Sequence, residues 1–365
     1  MRIIRVNTGG STWAIRDGSG IYLNTWFKGL DAQESNLFCK ASHELEISVT
    51  PASEGVLLSG DLSRYRELIR ELGPSTAARD LKMAIKNYLS NPVFRIRGVK
   101  LEAPAVMGIL NLTPDSFSGD GTFGTEALER TRRMAAEGAS ILDVGGESTR
   151  PGHTPTSPKE EERRVVPFLQ SLKDEGINVP ISIDTTKLQI VKKTRDLVDI
   201  INDQWGLQMR GRENEKLAKF VALSGKSIIL MHNWGMGAGH VYDGPDIMDE
   251  VISFLKRSIE IAEGGGIDPE RIMVDPGIGF GKGRRQNLEV IKRIGELRVL
   301  GKPILVGASK KSFLGKKEGL DPSERLEGTL AVTAYALSQG ASVVRVHNVR
   351  ENRRAAKIIE DLLRA

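Results

Sequence analysis

From about Val106 onward, short β-branched or apolar runs alternate with longer amphipathic ones. The short runs are Val106–Leu112, Ser140–Val144, Pro180–Asp184, Asp199–Asn202, Ser227–Met231, Arg271–Val274, Pro303–Gly307 and Ser342–Val346. Runs that are apolar almost throughout suit parallel strands covered on both faces. Between them, residues recur at helical spacing over Ala127–Glu137, Glu160–Lys173, Lys187–Leu197, Glu213–Leu223, Ile247–Ala262, Leu288–Leu300, Ser323–Leu337 and Glu351–Leu363. Eight strands, each followed by a helix, predict an α/β protein built on a parallel (β/α)8 barrel. The stretch from 106 to the C-terminus is close to the ~250 residues typical of that architecture.

The first hundred residues follow another rhythm. Ile3–Asn7, Thr12–Ile15, Gly20–Leu23, Glu44–Thr50 and Gly55–Ser59 read as short strands. Asp61 caps a helix running to Leu72, and Ser75–Leu89 reads as a second. Phe94–Glu102 reads as an extended lead into the barrel. The expected division is a smaller N-terminal α+β domain over 1–98, of unassigned role, and a barrel over 99–365. No motif carrying chemistry stands out in the first part, so packing or oligomerisation is its plainest reading.

Composition sharpens this picture in a few places. The 365 residues are 39% hydrophobic and 27% charged, which argues against extensive disorder or a fibrous chain. The net charge of +5 is spread along the chain, without a basic tail or stripe, so nucleic-acid binding is not expected. Cys39 is the only cysteine, which rules out an internal disulfide and a cysteine-rich zinc site. The first residues lack an apolar leader and no apolar run reaches ~18 residues, so no secretory signal or membrane span is expected, and the cytoplasm is the expected compartment. Thirty of the 39 glycines follow residue 105, many of them just past the strands.

Polar residues gather at the C-terminal ends of those strands, where barrels of this kind carry their active sites. The strands end in Asn111, Asp143, Asp184-Thr185, Asn202-Asp203, Met231-His232-Asn233, Asp275, Ser309-Lys310-Lys311-Ser312 and Arg345-Val-His347. Helix caps explain one such cluster, not eight at one phase of the repeat. Lys311, Arg345 and His347, with Ser148, Thr149 and Arg150, suit an anion with several oxygens. Asp184, Asn202 and Asp275 suit a flat nitrogen heterocycle, since a carboxylate accepts two parallel hydrogen bonds. Asn111 offers an amide oxygen of the kind Mg²⁺ takes alongside phosphate oxygens and water. Two residues stay open: Asp143 either fixes a turn before Gly145-Gly146 or joins the site, and His232 is either an interior histidine or a participant.

Four segments carry a resemblance. Met107–Ser118, Asp143–Gly152, Asp275–Lys282 and Arg345–His347 strongly resemble dihydropteroate synthase, over roughly 95–365. That likeness implies a TIM-barrel enzyme of folate synthesis. It joins a dihydropterin-methyl diphosphate to 4-aminobenzoate, with Mg²⁺, releasing dihydropteroate and pyrophosphate. By the same likeness, Asp184, Asn202, Asp275 and Lys311 hold the pterin, Met231 and Phe280 line its pocket, and Arg345 packs on the ring. Asn111 binds Mg²⁺; Thr149, Arg345 and His347 contact the diphosphate, and Ser312 joins the substrate-binding set. Asn111, Arg150, Lys311 and Arg345 form the catalytic set, the loops Thr113–Gly121 and Glu147–Gly152 close over the site, and a homodimer is a family-level expectation.

The chain departs from the family pattern at Ser118-Gly119-Asp120-Gly121, at Lys310 where arginine is usual, and at Asn233 where methionine usually follows the histidine. The first and third departures touch the arylamine end. Two other readings compete: methyl transfer from a reduced folate to a corrinoid on the same barrel, and a pterin-binding protein without catalysis. The Thr-Pro-Asp-Ser and Ser-Thr-Arg-Pro-Gly loops argue against the first, and Asn111, Thr149, Arg150 and Lys311 against the second.

Overall fold

The structure is a computed structural model that describes residues 3–7, 21–52, 55–112, 122–147, 156–235, 241–315 and 317–365. Its N-terminal unit begins with β1 (Ile3–Asn7) and β2 (Tyr22–Lys28), followed by helix α1 (Ala32–Glu44), β3 (Ser48–Ala52) and β4 (Gly55–Asp61). The four strands form an antiparallel sheet in the order β1-β2-β4-β3. Alternation in β2 buries Leu23, Thr25 and Phe27 on one face, where Phe38 of α1 meets Phe27 edge-on at 5.2 Å. Helices α2 (Leu62–Glu71) and α3 (Thr76–Leu89) follow, capped by Asp61 and Ser75, whose side chains accept from Ser63 N at 2.8 Å and Ala78 N at 3.1 Å.

Helix α1 was not expected, and the strand expected from Glu44 starts only at Ser48. The helix is polar and buries little beyond Phe38, Ala41 and Ser42, so its periodicity is faint. Its start is written in a capping box: Glu34 N donates to Asp31 at 2.8 Å, and Asp31 N donates back to Glu34 at 3.2 Å. The strand expected at Thr12–Ile15 lies outside the described residues.

The expected extended segment Phe94–Glu102 instead folds into a small hairpin, β5 (Arg95–Ile96) against β6 (Val99–Lys100), which spans position 98. Phe94 and Ile96 pack with Ala105, Met107, Ile141, Ile200, Ile229, Met273, Leu305 and Val343. The hairpin thereby plugs the N-terminal mouth of the barrel.

The barrel strands are β7 (Ala105–Asn111), β8 (Ile141–Gly145), β9 (Ile181–Asp184), β10 (Ile200–Asp203), β11 (Ser227–Met231), β12 (Ile272–Asp275), β13 (Leu305–Val306) and β14 (Val343–Val346). All pair in parallel, in the order β12-β11-β10-β9-β8-β7-β14-β13, and a bridge from Val274 to Ile304 brings the ends together. Helices α4 (Thr122–Ala136), α5 (Pro158–Asp174), α6 (Leu188–Thr194), α7 (Glu215–Ser224), α8 (Ile247–Gly264), α9 (Arg284–Lys292), α10 (Leu326–Ser338) and α11 (Val349–Arg364) alternate with the strands. This is the expected (β/α)8 barrel.

Two expected helices are broken: Ser323–Leu337 opens as a 3-10 turn, Pro322–Glu324, before α10, and the other lies against the N-terminal unit. The stretch predicted as Leu288–Leu300 divides into α9 and a 3-10 segment, Ile294–Leu300, with Gly295 near the break. The tighter segment receives the N-terminal unit: Asn87 Nδ2 donates to Val299 O at 2.9 Å, and Arg298 Nε to Tyr88 O at 2.8 Å. Arg5 of β1 pairs with Asp249 of α8 at 3.3 Å, and Lys28 of β2 with the same carboxylate at 2.7 Å.

Two apolar cores result from strand alternation. Val106, Leu110, Leu142, Val144 and Ile201 face outward to the helices, while the cluster around Met107 fills the interior. Among the described residues no helix is long and apolar enough to cross a membrane.

Candidate active site

A strand's side chains repeat every two residues, so the apolar interior layer dictates what lies above it. Two residues beyond Ile141, Ile200, Ile229, Met273 and Val343 stand Asp143, Asn202, Met231, Asp275 and Arg345. The same alternation that fills the barrel with hydrocarbon therefore ends in a polar layer, at the C-terminal mouth.

Asp143 is the hub of that layer and is 2% exposed. Its Oδ1 accepts from Ser182 Oγ at 2.7 Å, and its Oδ2 from Asn202 Nδ2 at 3.1 Å and Arg345 Nη1 at 2.9 Å. The same Nη1 donates to Asp184 Oδ2 at 3.2 Å, and Gln204 Nε2 donates to Asp184 Oδ1 at 2.5 Å. Of the two readings of Asp143, a turn or the polar layer, the structure places it in the strand and in the layer with Asn202 and Arg345. Its signal was the two-residue step from Ile141.

These bonds fix directions. Asn202 spends its amide NH₂ on Asp143, so its Oδ1 is left buried without a partner. Arg345 Nε is likewise buried and unpartnered. Asp275 uses Oδ1 to accept from Gly277 N at 2.7 Å, which shapes the following loop. Buried polar atoms are normally satisfied, so two orphaned ones in a single layer of strand ends are places where a ligand can supply the missing partners.

On the other wall, Lys311 follows β13 and its Nζ sits 4.5 Å from the centre of the Phe280 ring while donating to Ile278 O. Gly279 permits that approach, because a Cβ there would lie 2.9 Å from Lys311 Cδ. Lys282, which sequence reasoning passed over, is buried beneath the loop. It donates to Gly277 O at 3.0 Å and Phe280 O at 3.2 Å, and lies 2.7 Å from His232 Nδ1. His232 is fully buried, edge-on to Phe254, and is an interior histidine supporting the loop. Gly277 has φ +64°, and a Cβ there would meet His232 O at 1.8 Å.

Other sequence candidates are scattered more widely. Asn111 ends β7 with its side chain exposed; its Oδ1 and Asp184 Oδ2 lie 3.7 and 3.8 Å from the point a Cβ on Gly145 would occupy. His347 is half-buried, its ring Nδ1 3.1 Å from Ser309 Oγ. Met231 is buried between Asn202 and Asp275 on the middle strand of three. Ser312 opens a short 3-10 turn and is exposed. Thr149 and Arg150, with both closing loops apart from Glu147, lie outside the described residues. Glu147, at the root of the second loop, is paired to Lys187, which also holds the buried Glu161. That anchor joins residues forty apart in sequence and gave no local signal.

Burial governs the charges. Asp184 is pushed up to about 7, first by burial and then by Asp143, against the pull of Arg345. Asp275 is also raised by burial, although Arg345 and Lys311 oppose it. Lys311 falls to about 7, through burial first and Arg345 second. Burial works against the charge on Arg345, yet Asp143, Asp184 and Asp275 together hold it above its ordinary value. Arg345 is thus the fixed cation of the floor, while burial brings both Asp184 and Lys311 to about 7.

Residues 107–347 match the family of pterin binding enzymes. A dihydropteroate synthase of Clostridium beijerinckii is 40% identical over 267 residues, covering 72% of this chain and 96% of that protein. A crystal structure of dihydropteroate synthase from Clostridium difficile, in the presence of pteroic acid, is 42% identical, with a TM-score of 0.67 over 72% of this chain and 98% of that one. The Xanthomonas albilineans enzyme with 4-aminobenzoic acid is 35% identical, with a TM-score of 0.68 over 76% and 100%. The chain belongs to the pterin binding enzymes and, within them, to the dihydropteroate synthase family. It is a transferase of folate synthesis.

Proposed function

We propose that the chain joins a (7,8-dihydropterin-6-yl)methyl diphosphate to 4-aminobenzoate, with the layer around Asp143 as the pterin floor. The observation that carries this is the pair of buried, unpartnered atoms, Asn202 Oδ1 and Arg345 Nε, in the layer of strand ends that also holds the buried Asp275. A pterin edge offers ring N–H and amino donors in a row, the complement of Asn202 Oδ1 and the carboxylates of Asp184 and Asp275. Arg345 packs on the ring, Met231 and Phe280 close the apolar sides, and Lys311 reaches over the Phe280 face to the ring's acceptor edge.

The diphosphate then lies toward Asn111, His347, Ser312 and the second loop with Thr149 and Arg150. As the C–O bond to the diphosphate breaks, the pterin ring delocalises the positive charge on the methylene carbon, and the arylamine nitrogen attacks there. The arylamine is already nucleophilic, so the protein's task is to stabilise the departing charge with Arg345, Lys311 and Arg150 and to exclude water. That exclusion is the role the resemblance gives to the segments over 113–121 and 147–152.

Among the described residues no group of three His, Cys, Asp or Glu side chains could cage a metal. A single amide oxygen at the mouth, Asn111 Oδ1, fits a different arrangement, in which Mg²⁺ takes most of its ligands from substrate oxygens and water. Asn111 would hold the ion there, and its chemistry would be neutralisation of charge on the leaving diphosphate.

The same reading divides the chain into an N-terminal domain and the barrel, with the expected boundary at 98 moved ahead of Phe94 so that the hairpin stays with the barrel; it takes the cytoplasm as compartment and a homodimer as the assembly, which light scattering on the purified protein checks. The activity is tested by pyrophosphate release. Release that needs Mg²⁺, the pterin diphosphate and 4-aminobenzoate together supports the assignment. Pterin binding without turnover, or methyl transfer to cob(I)alamin, overturns it.

A further inference from the structure

The N-terminal unit lies outside the family match and carries a groove of about 770 Å³ between α2 and α3. Each helix presents one face to it at helical spacing. Leu62, Tyr65 and Ile69 of α2 form the floor together with Ile85 and Leu89 of α3. Arg66 and Arg70 rise on one rim, and Arg79, Lys82 and Lys86 on the other. No Asp or Glu lines the groove, and none of the five cations forms an ion pair among the described residues. All five are exposed.

The opposite side of α3 turns toward the barrel, where Ala84 is buried and Asn87 donates to Val299 O of the 3-10 segment. The groove therefore opens away from the catalytic domain on a unit held firmly against it.

From this apolar trough with two cationic rims we propose that the groove binds an acidic amphipathic helix of a partner protein. The floor takes the helix's apolar stripe, and Arg66 and Arg70 on one side and Arg79, Lys82 and Lys86 on the other pair with its flanking carboxylates. Two rows at helical spacing accept a third helix as ridges accept a groove. The recessed floor distinguishes this from a membrane-binding surface, which presents apolar side chains outward. Tyr65 is fully buried with its hydroxyl donating to Leu58 O at 2.7 Å, so the groove lacks an exposed aromatic platform for stacking bases.

The test uses the full chain and a fluorescein-labelled synthetic helix with leucines on one face and glutamates along its flanks, read by fluorescence anisotropy. Saturable binding that weakens with salt is expected. A peptide of identical composition with its leucines scrambled is expected to bind at least ~10-fold more weakly, because charge alone does not fill the floor. Arg66→Glu/Arg70→Glu/Lys82→Glu is expected to weaken binding by a similar factor, as is Ile69→Asp, with pyrophosphate release unchanged in both. No binding, equal binding of the scrambled peptide, unchanged binding by the charge-reversed variant, or displacement of the peptide by phosphatidylserine vesicles or single-stranded DNA overturns the proposal. If Ile69→Asp fails to fold, the charge-reversed variant, altered only at exposed positions, decides.

Discussion

Replacing Asp143 by asparagine isolates charge from shape at the centre of the floor. The amide oxygen can still accept from Asn202 and Arg345, and the new NH₂ can donate to Ser182 Oγ, whose hydroxyl rotates to suit. The hydrogen bonds survive in number, and the negative charge opposite Arg345 is lost. Bonds to charged groups contribute about 1.5–3 kcal/mol and neutral ones about 0.5–1.5, so the change costs about 1–2 kcal/mol in holding Arg345 and Asn202 toward the pterin. That corresponds to a roughly 5- to 30-fold rise in KM for the pterin diphosphate. The KM for 4-aminobenzoate should stay near its original value, because Asp143 does not face that end.

A second readout separates positioning from simple destabilisation. Asp143 is, after burial, the main cause of the raised pKa of Asp184, which sits at about 7. Removing the like charge lowers it, so Asp184 ionises at lower pH and the acidic limb of kcat/KM should move the same way. Steady-state pyrophosphate release across pH, with thermal melting as the folding check, measures both effects. An unchanged pterin KM with an unmoved acidic limb would refute the hub role. If the variant folds poorly, Ser182→Ala removes one of the three donors and should give a smaller change of the same kind.

Lys311→Ala should raise the KM for the pterin diphosphate ~10-fold or more while sparing the arylamine KM, as initial rates with each substrate varied would show; an unchanged value sinks its assigned role. Lys282 titrates at about 7 in the folded chain, lowered mainly by burial, against an ordinary 10.5. The folded state therefore binds fewer protons between these values, so the penalty is complete below pH 7 and fades as pH rises toward 10.5. Lys282→Met should thus look better relative to wild type at pH 6 than at pH 10 in thermal melts; a difference independent of pH contradicts the argument. Gly277→Ala should cost more than about 3 kcal/mol in urea unfolding, since it combines a left-handed φ with a clash against backbone at His232. Removing Mg²⁺ with EDTA should abolish pyrophosphate release, and Asn111→Ala should raise the Mg²⁺ concentration needed for half-maximal rate.

What was legible in the sequence was what repeats. Eight apolar runs announced the barrel, and polar residues at the same phase of each announced the mouth. Helix α1 escaped because its buried stripe is short, although Asp31 and Glu34 already spelled its start. The turn after β8 made Asp143 ambiguous, because Gly145-Gly146 supports a turn as readily as a site. The two-residue step resolves it: if Ile141 points inward, Asp143 must too, in the layer of Asn202 and Arg345.

Which atoms those residues turn toward the ligand is a different kind of information. Asn202 can present either end of its amide, and only Asp143, fifty-nine residues earlier, decides that the oxygen is the end left without a partner. Asp184 would be an ordinary carboxylate but for the burial and the neighbouring charge that the parallel register of β8 and β9 brings to it. Those choices depend on strand order and register, which set cross-strand neighbours and leave no local pattern. In this barrel, periodicity therefore selects the residue types at the mouth, and register selects their chemistry. A substitution that preserves the first while altering the second, as Asp143→Asn does, should leave the fold intact and the pterin poorly held.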